Sequence, residues 1–160
     1  VGLTPMALYR HFENRQALID AVVAAATEKW RARVARIRPC APDVWLLKIG
    51  SAFLDFFLEE PKMFEAAFLT RSGMALRYPD DFVAGGSPAV SLQLELIQEI
   101  SARSPAANRI APIEMVIILA GLGHGLISLY QAGRIAGDEK SFRRLYRRAL
   151  KNCVRSFGLE

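Results

Sequence analysis

The chain has 160 residues, of which 52% are hydrophobic and 23% are charged, so it can bury a substantial core and suits one main domain with a smaller appended part. Its formal net charge of +5 favours an anionic partner such as nucleic acid and indicates nothing about the fold. Cys40 and Cys153 lack the spacing of a metal site or a disulfide framework, which counts against a secreted or zinc-binding module and is typical of a reduced cytoplasmic protein.

Residues 2–18 predict the second half of a helix-turn-helix. Gly2 suits the sharp turn between two helices, Thr4 is a favourable N-cap, and Pro5 occupies the first helical position, where its missing N–H costs nothing. Leu8 and Phe12 are four positions apart and face a core, which leaves polar, aromatic and basic side chains on the outward face. Such a face suits a DNA groove.

This segment resembles the recognition helix of the TetR family of bacterial transcriptional regulators. The matching positions are Gly2, Leu3, Thr4, Leu8, Tyr9, Phe12, Arg15, Ala17 and Leu18. Arg15 stands where the family usually has lysine and retains the cation that a phosphate contact needs. Because the motif begins at Gly2, we expect the family's first helix and most of its second to lie upstream of this chain.

The resemblance implies a homodimer whose two recognition helices enter successive major grooves, about 34–36 Å apart, on a palindromic operator in double-stranded DNA. The predicted phosphate contacts are Thr4, Tyr9, His11 and Arg15, and the predicted base contacts are Pro5, Met6 and Arg10. The alternative is an ordinary helix-turn-helix corner that binds no nucleic acid.

Apolar residues from Leu18 to Ile37 recur at spacings of three and four, which predicts one long helix that Pro39 and Pro42 end. Its far end carries basic residues that indicate a solvated face, with a second nucleic-acid patch as the alternative. In the resemblance, this helix connects the DNA-reading part to the body.

The segment from Asp43 to Glu60 has only a narrow polar stripe and predicts a central helix, and a short helix follows Pro61. The resemblance implies that a small molecule binds among these helices, and an aromatic lining suits an apolar or aromatic effector. The candidate pocket residues are Trp45, Phe53, Phe56, Phe57, Phe64, Phe68, Met115 and His124. Packing of an ordinary core is the alternative for the aromatic residues.

Residues 71–87 predict a loop that could cover a pocket, in which Asp80 and Asp81 form a solvated turn rather than a metal or catalytic site. A further helix is predicted from Pro88 to a point before Pro105.

The apolar segment from Ile113 to Tyr130 is interrupted by polar residues and glycines, which favours an interface helix over a membrane span. The resemblance implies that this helix and the last one, predicted from Glu139 to Phe157, build the dimer. The interface candidates are Gly121, Gly125, Phe142, Leu145, Ala149 and Cys153. Because the last helix is basic and amphipathic, binding to a membrane surface or to nucleic acid remains an alternative.

Gly121, Gly123 and Gly125 also suggest a dinucleotide-binding motif, but Leu126 occupies its third glycine position and no repeated strand–helix pattern surrounds it. We therefore predict no catalytic residue, no metal ligand and no cofactor, and we do not expect an enzyme.

The sequence thus predicts an all-α protein with two parts. Residues 1–38 form the remainder of a helix-turn-helix DNA-binding domain with its connecting helix, and residues 39–160 form a helical body that binds an effector and dimerises. The predicted function is that of a cytoplasmic TetR-like repressor that a small molecule releases from its operator, with no membrane partner.

Overall fold

The computed structural model describes residues 12–38, 40–71, 77–84, 91, 94–95, 97–98 and 110–158. Within these ranges the chain is helical and contains no strand, so the predicted all-α class is confirmed. The helices are α1 (Arg15–Ala35), α2 (Pro42–Glu59), α3 (Pro61–Phe68), α4 (Asp80–Val83), α5 (Pro112–Gln131) and α6 (Glu139–Ser156). Residues 91, 94–95 and 97–98 are also helical, and Leu94 and Ile97 are buried.

Helix α1 begins where Asn14 caps it, because the Asn14 side chain accepts a hydrogen bond of 2.8 Å from the amide of Ala17. Its buried residues are Val23, Ala26, Trp30 and Val34, at the spacings of three and four that the sequence predicts. This stripe faces mainly α3, which follows the central helix in the chain.

Helix α2 is the central helix, as predicted, since it contacts α1, α3, α5 and α6. It begins with Pro42 at its first position and buries Leu46, Leu54 and Phe56 almost completely. Lys48, on the predicted polar stripe, is exposed. The core therefore surrounds α2 and extends from Trp30 of α1 to Phe157 just beyond α6.

The predicted acidic turn forms the single-turn helix α4. Asp80 is exposed, and the carboxylate of Asp81 accepts a hydrogen bond of 2.7 Å from the amide of Arg77. This local bond is typical of a turn.

Helices α5 and α6 pack against each other, and the rings of Tyr130 and Phe142 stack with centroids 4.0 Å apart. Asp138 caps α6 by accepting a hydrogen bond of 2.9 Å from the amide of Ser141. Phe142, Tyr146, Leu150 and Val154 recur every fourth residue along the buried face of α6. Both helices thus complete the core with one face and leave another for solvent or a partner.

Candidate effector site and partner surface

The predicted DNA contacts Thr4, Pro5, Met6, Tyr9, Arg10 and His11 lie outside the described residues. Arg15 is the first residue of α1 and is exposed. Its position is compatible with a phosphate contact, which remains a prediction.

An aromatic cluster fills the space between α2 and α3. We use this name for Phe53, Phe56, Phe57, Phe64 and Phe68, whose rings are linked by centroid distances of 4.8–6.3 Å. Most of these contacts are edge-to-face or tilted, the arrangement that aromatic quadrupoles favour. Phe56 and Phe64 are almost completely buried, whereas Phe68 is only partly buried. The cluster is therefore an apolar surface that reaches the outside of the core at Phe68.

His124 of α5 joins this cluster from the other side. Its ring centroid lies 5.0 Å from that of Phe53, 5.7 Å from that of Phe68 and 6.0 Å from that of Phe64. Its Nδ1 atom lies 2.8 Å from the carbonyl oxygen of Ala120, one turn earlier in α5. The structure thus brings one imidazole, partly buried, into an otherwise apolar group.

Trp30 of α1 also contacts the cluster, although it is not among the candidate pocket residues that the sequence predicts. Its ring lies 5.6 Å from those of both Phe53 and Phe68 and stacks on Phe56 at 6.0 Å. The Arg33 guanidinium lies 5.4 Å from the centre of the Phe56 ring. Trp30 and Arg33, three positions apart on α1, therefore both contact the aromatic cluster directly.

Two further candidate pocket residues, Trp45 and Met115, belong to the same hydrophobic core. Trp45 is 4% exposed and Met115 is completely buried. Within the described part of the chain, Trp45 makes no ring contact with the aromatic cluster. Their assignment to the pocket remains a prediction, and their burial equally suits a packing role.

A polar group lies behind the aromatic cluster, between α2, α5 and α6. The phenol of Tyr146 is 2% exposed, and a Cβ added to Gly123 would lie 3.0 Å from its oxygen and 3.2 Å from the Phe53 ring. Burial, and the nearby charge of Asp55, raise the pKa of Tyr146, so the phenol stays protonated. Gly123 therefore permits a close approach of α5 to α6 and α2.

Arg143 joins α6 to α2 by a salt bridge to Asp55, and it also donates a hydrogen bond of 2.8 Å to Glu139. The hydrogen bonds to Glu139 and Asp55 raise the pKa of Arg143. Both side chains of the Arg143–Asp55 pair are about a quarter to a third exposed, 26% and 32%. The pair links α6 to the central helix.

The outward face of α5 is apolar and uncovered in the protomer. Ile118 and Leu129 are each 42% exposed, and a Cβ added to Gly121 or Gly125 would meet no atom within 4 Å. These four residues share one face of the helix. Over the described ranges, α5 is the one helix long and apolar enough to cross a bilayer. Its most apolar 18-residue stretch has a mean hydropathy of 1.7, and 22% of that stretch is buried. An uncovered interface helix has the same composition.

The predicted interface residues of α6 separate into two groups. Phe142 is 1% exposed and packs inside the protomer against Tyr130, so its burial contradicts a role on the outer surface. Leu145 and Ala149 are only partly buried and lie three positions from Phe142 and Tyr146, at the edge of the face that contacts α5. Cys153 is partly buried against the core, and burial raises the pKa of its thiol.

A surface cavity of about 220 Å³ lies between the start of α2 and the end of α6. It is lined by Asp43, Leu47, Lys151, Val154 and Arg155. None of these residues belongs to the aromatic cluster. In the parts of the chain that the structure describes, no group of three or more His, Cys, Asp or Glu side chains is placed to hold a metal ion.

Comparison with known proteins identifies the family. The family model described as "Tetracyclin repressor-like, C-terminal domain" matches residues 46–152, which include most of α2, all of α3 to α5 and most of α6. The match covers more than half of the chain, so this chain belongs to the TetR family of regulators. The resemblance found at residues 2–18 is thereby confirmed at the level of the family.

A solved structure shares the fold. The chain titled "Structure of a protein with unknown function from Rhodococcus sp. RHA1" superposes with a TM-score of 0.69 at 18% sequence identity, over 96% of this chain and 78% of that one. At this identity the similarity concerns the fold alone. No curated protein matches the chain.

Proposed function

We propose that this chain is a cytoplasmic, DNA-binding transcriptional regulator that acts as a homodimer and that a small apolar or aromatic effector releases from a palindromic operator. The observation that carries the proposal is the contact of Trp30 with Phe53, Phe56 and Phe68. Trp30 lies on α1, the helix that follows the predicted recognition helix, and the phenylalanines lie in the body. A ligand among these rings acts on α1 without any intermediate element.

The charged contacts of α1 support this coupling. Arg33 donates a hydrogen bond of 2.6 Å to Glu59, and Lys29 forms a salt bridge with Glu60, so α1 is joined to the junction between α2 and α3. Exposed pairs of this kind contribute little to stability, but they define one orientation of α1 relative to the body. An effector that binds more tightly to a second orientation shifts the population away from the DNA-binding state.

The same proposal divides the chain into residues 1–38 and residues 39–160. In this proposal the first part reads DNA through Thr4, Pro5, Met6, Tyr9, Arg10, His11 and Arg15, and the second part binds the effector. Trp30 lies in the first part and contacts the second, so it links the two parts. Release requires no covalent chemistry, and we propose no enzymatic activity.

The homodimer is proposed to form through the α5–α6 surface, which we define as Ile118, Gly121, Gly125, Leu129, Leu145 and Ala149. Two observations support it: large apolar side chains on α5 are exposed, and the two glycines leave room for close approach of another helix. A twofold axis that joins this surface to its copy forms a bundle of four helices. The apolar character of this surface is typical of the buried centre of a homodimer interface.

The test is binding of the full-length protein to DNA that flanks its own coding region, at two salt concentrations. We expect the logarithm of the binding constant to fall linearly with the logarithm of salt concentration, because phosphate contacts release counterions. Tyr9→Ala is expected to weaken operator binding at least about tenfold, which is the loss of roughly one good contact. Tyr78→Ala is the matched control, since Tyr78 is exposed on the body and 43% accessible.

Binding that is independent of DNA sequence, or equally strong in the Tyr9→Ala and Tyr78→Ala proteins, would contradict the proposal. Some regulators bind DNA only when a ligand is bound. Repeating the assay in the presence of para-propylphenol or para-propylanisole detects this behaviour.

A further inference from the structure

The hydrogen bond at Nδ1 determines which tautomer His124 adopts. Nδ1 lies 2.8 Å from the carbonyl oxygen of Ala120, and a carbonyl can only accept, so Nδ1 carries the proton and donates it. In the neutral ring, Nε2 then has no proton and is a hydrogen-bond acceptor.

Among the described residues, the rings in contact with His124 are apolar. They belong to Phe53, Phe64 and Phe68, which offer no N–H or O–H group. Over the described ranges, His124 makes one hydrogen bond, which is the bond to the carbonyl oxygen of Ala120. His124 is partly buried, and an acceptor that is partly shielded from water gains from a hydrogen-bond donor, so this region favours a ligand that supplies one.

We propose that His124 selects the effector, which is an uncharged aromatic molecule with one O–H or N–H donor, such as a phenol. Its donor binds Nε2 and its ring packs against the cluster at Phe68, the member that is only partly buried. This inference rests on the proposed function, because it names the ligand class of the same site.

The charges around the cluster favour a neutral ligand. Arg33, over Phe56, is already paired with Glu59, and Asp55 is paired with Arg143. A carboxylate ligand has no proton to donate, so it cannot form a hydrogen bond with the acceptor Nε2. An ammonium ligand would find no unpaired carboxylate among these residues. Burial of either ion without a counterion is unfavourable.

Trp30 provides a direct optical reporter for the site. The chain has two tryptophans, and Trp45 makes no ring contact with the cluster in the described part of the chain. In the Trp45→Phe variant of this chain, the remaining tryptophan fluorescence comes from Trp30, which lies 5.6 Å from both Phe53 and Phe68. A ligand bound at Phe68 changes that fluorescence.

The experiment titrates this protein with para-propylphenol and with para-propylanisole, in which a methyl ether replaces the hydroxyl. We expect the phenol to bind at least about tenfold more tightly, because one hydrogen bond to a site that otherwise stays unsatisfied has roughly that effect. His124→Phe is expected to abolish the preference while affinity for the anisole is kept. His124→Gln, which retains an acceptor, is expected to keep part of it.

Equal affinity for the phenol and the anisole would overturn the inference and leave an effector held by apolar contact alone. Tighter binding of para-propylbenzoate or para-propylbenzylamine would overturn it in favour of an ionic ligand. Failure of all four compounds to bind a protein that still recognises its operator would overturn the inference and leave the proposed regulator intact. The opposite outcome is a protein that binds the phenol in the fluorescence titration but does not bind its operator. That outcome would retain the ligand site and reject the proposed regulator.

Discussion

Gly50 allows the central helix to lie directly against α6. A Cβ added there would lie 2.3 Å from Cδ2 and 2.8 Å from Cδ1 of Leu150. Such distances are too short for carbon atoms, so a larger residue must displace the leucine or separate the helices. A glycine inside a helix is usually unfavourable, and here the close approach of two helices explains it.

Gly50→Ala is therefore expected to lower the free energy of unfolding by about 1–3 kcal/mol, although alanine by itself favours a helix. Urea unfolding followed by circular dichroism measures this change. In the double variant with Leu150→Val, the smaller side chain makes room, so the combined loss should be less than the sum of the two single losses. Strict additivity would show that the two residues do not oppose each other.

Residues on one predicted face have different environments in the fold. The sequence places Phe142 and Leu145 together among the candidates for the dimer interface on the amphipathic last helix. In the structure, Phe142 stacks on Tyr130 in the core, while Leu145 remains partly exposed. Periodicity identifies the face but cannot divide it between the protomer core and a partner, because both bury apolar side chains.

At the scale of elements, helix boundaries follow from local chemistry. Asn14 and Asp138 cap α1 and α6 by accepting hydrogen bonds from first-turn amides, and Pro42, Pro61 and Pro112 begin the helices between them. These signals act within one turn of helix, so the sequence predicts them well. The observed starts lie within a few positions of the predicted ones.

The cap of α6 has a testable pH dependence. Hydrogen bonds from the Ser141 side chain and then from its amide hold the pKa of Asp138 below its ordinary value. A carboxylate with a lowered folded-state pKa stabilises the protein above its unfolded-state pKa, and this contribution is lost as pH falls through the folded-state value.

We expect the melting temperature of the wild-type protein to fall more steeply than that of Asp138→Asn below about pH 4, the ordinary range of an aspartate. Asparagine caps a helix without titrating, so it is the matched control, and Asp138→Ala should be less stable than both at neutral pH. Circular dichroism melts from neutral to acidic pH measure the difference. Parallel curves for the wild type and Asp138→Asn would show that this cap does not depend on ionisation.

At the scale of the whole molecule, the apolar face of α5 is the feature that the protomer leaves unexplained. A single exposed apolar residue is ordinary on a protein surface, but Ile118 and Leu129 share a face with two glycines that have open space above them. The proposed homodimer removes this face from water.

Ile118→Glu is expected to convert the dimer to a monomer, because it places an unpaired carboxylate inside the interface, and to raise the dissociation constant at least about a hundredfold. Val44→Glu is the control, since Val44 on α2 has similar exposure, 39% against 42%. Sedimentation velocity across a range of concentrations measures the change. If both variants stay dimeric, or both dissociate, the α5–α6 surface is not the interface.

The sequence by itself determined the helical class, the position of most helices and the membership of a regulator family, because capping, proline and apolar spacing act locally and the motif at residues 2–18 is dense. It also indicated that aromatic residues gather in the body. It grouped His124 with Phe53, Phe64 and Phe68 as candidate pocket residues, which the structure brings into contact. It did not indicate that Trp30 contacts Phe53, Phe56 and Phe68, or that Trp45 makes no ring contact with them among the described residues. Only the tertiary structure decided this, because these contacts join α1 and α5 to the central helices across long stretches of chain, and side-chain spacing along one helix contains no record of which other helix it faces.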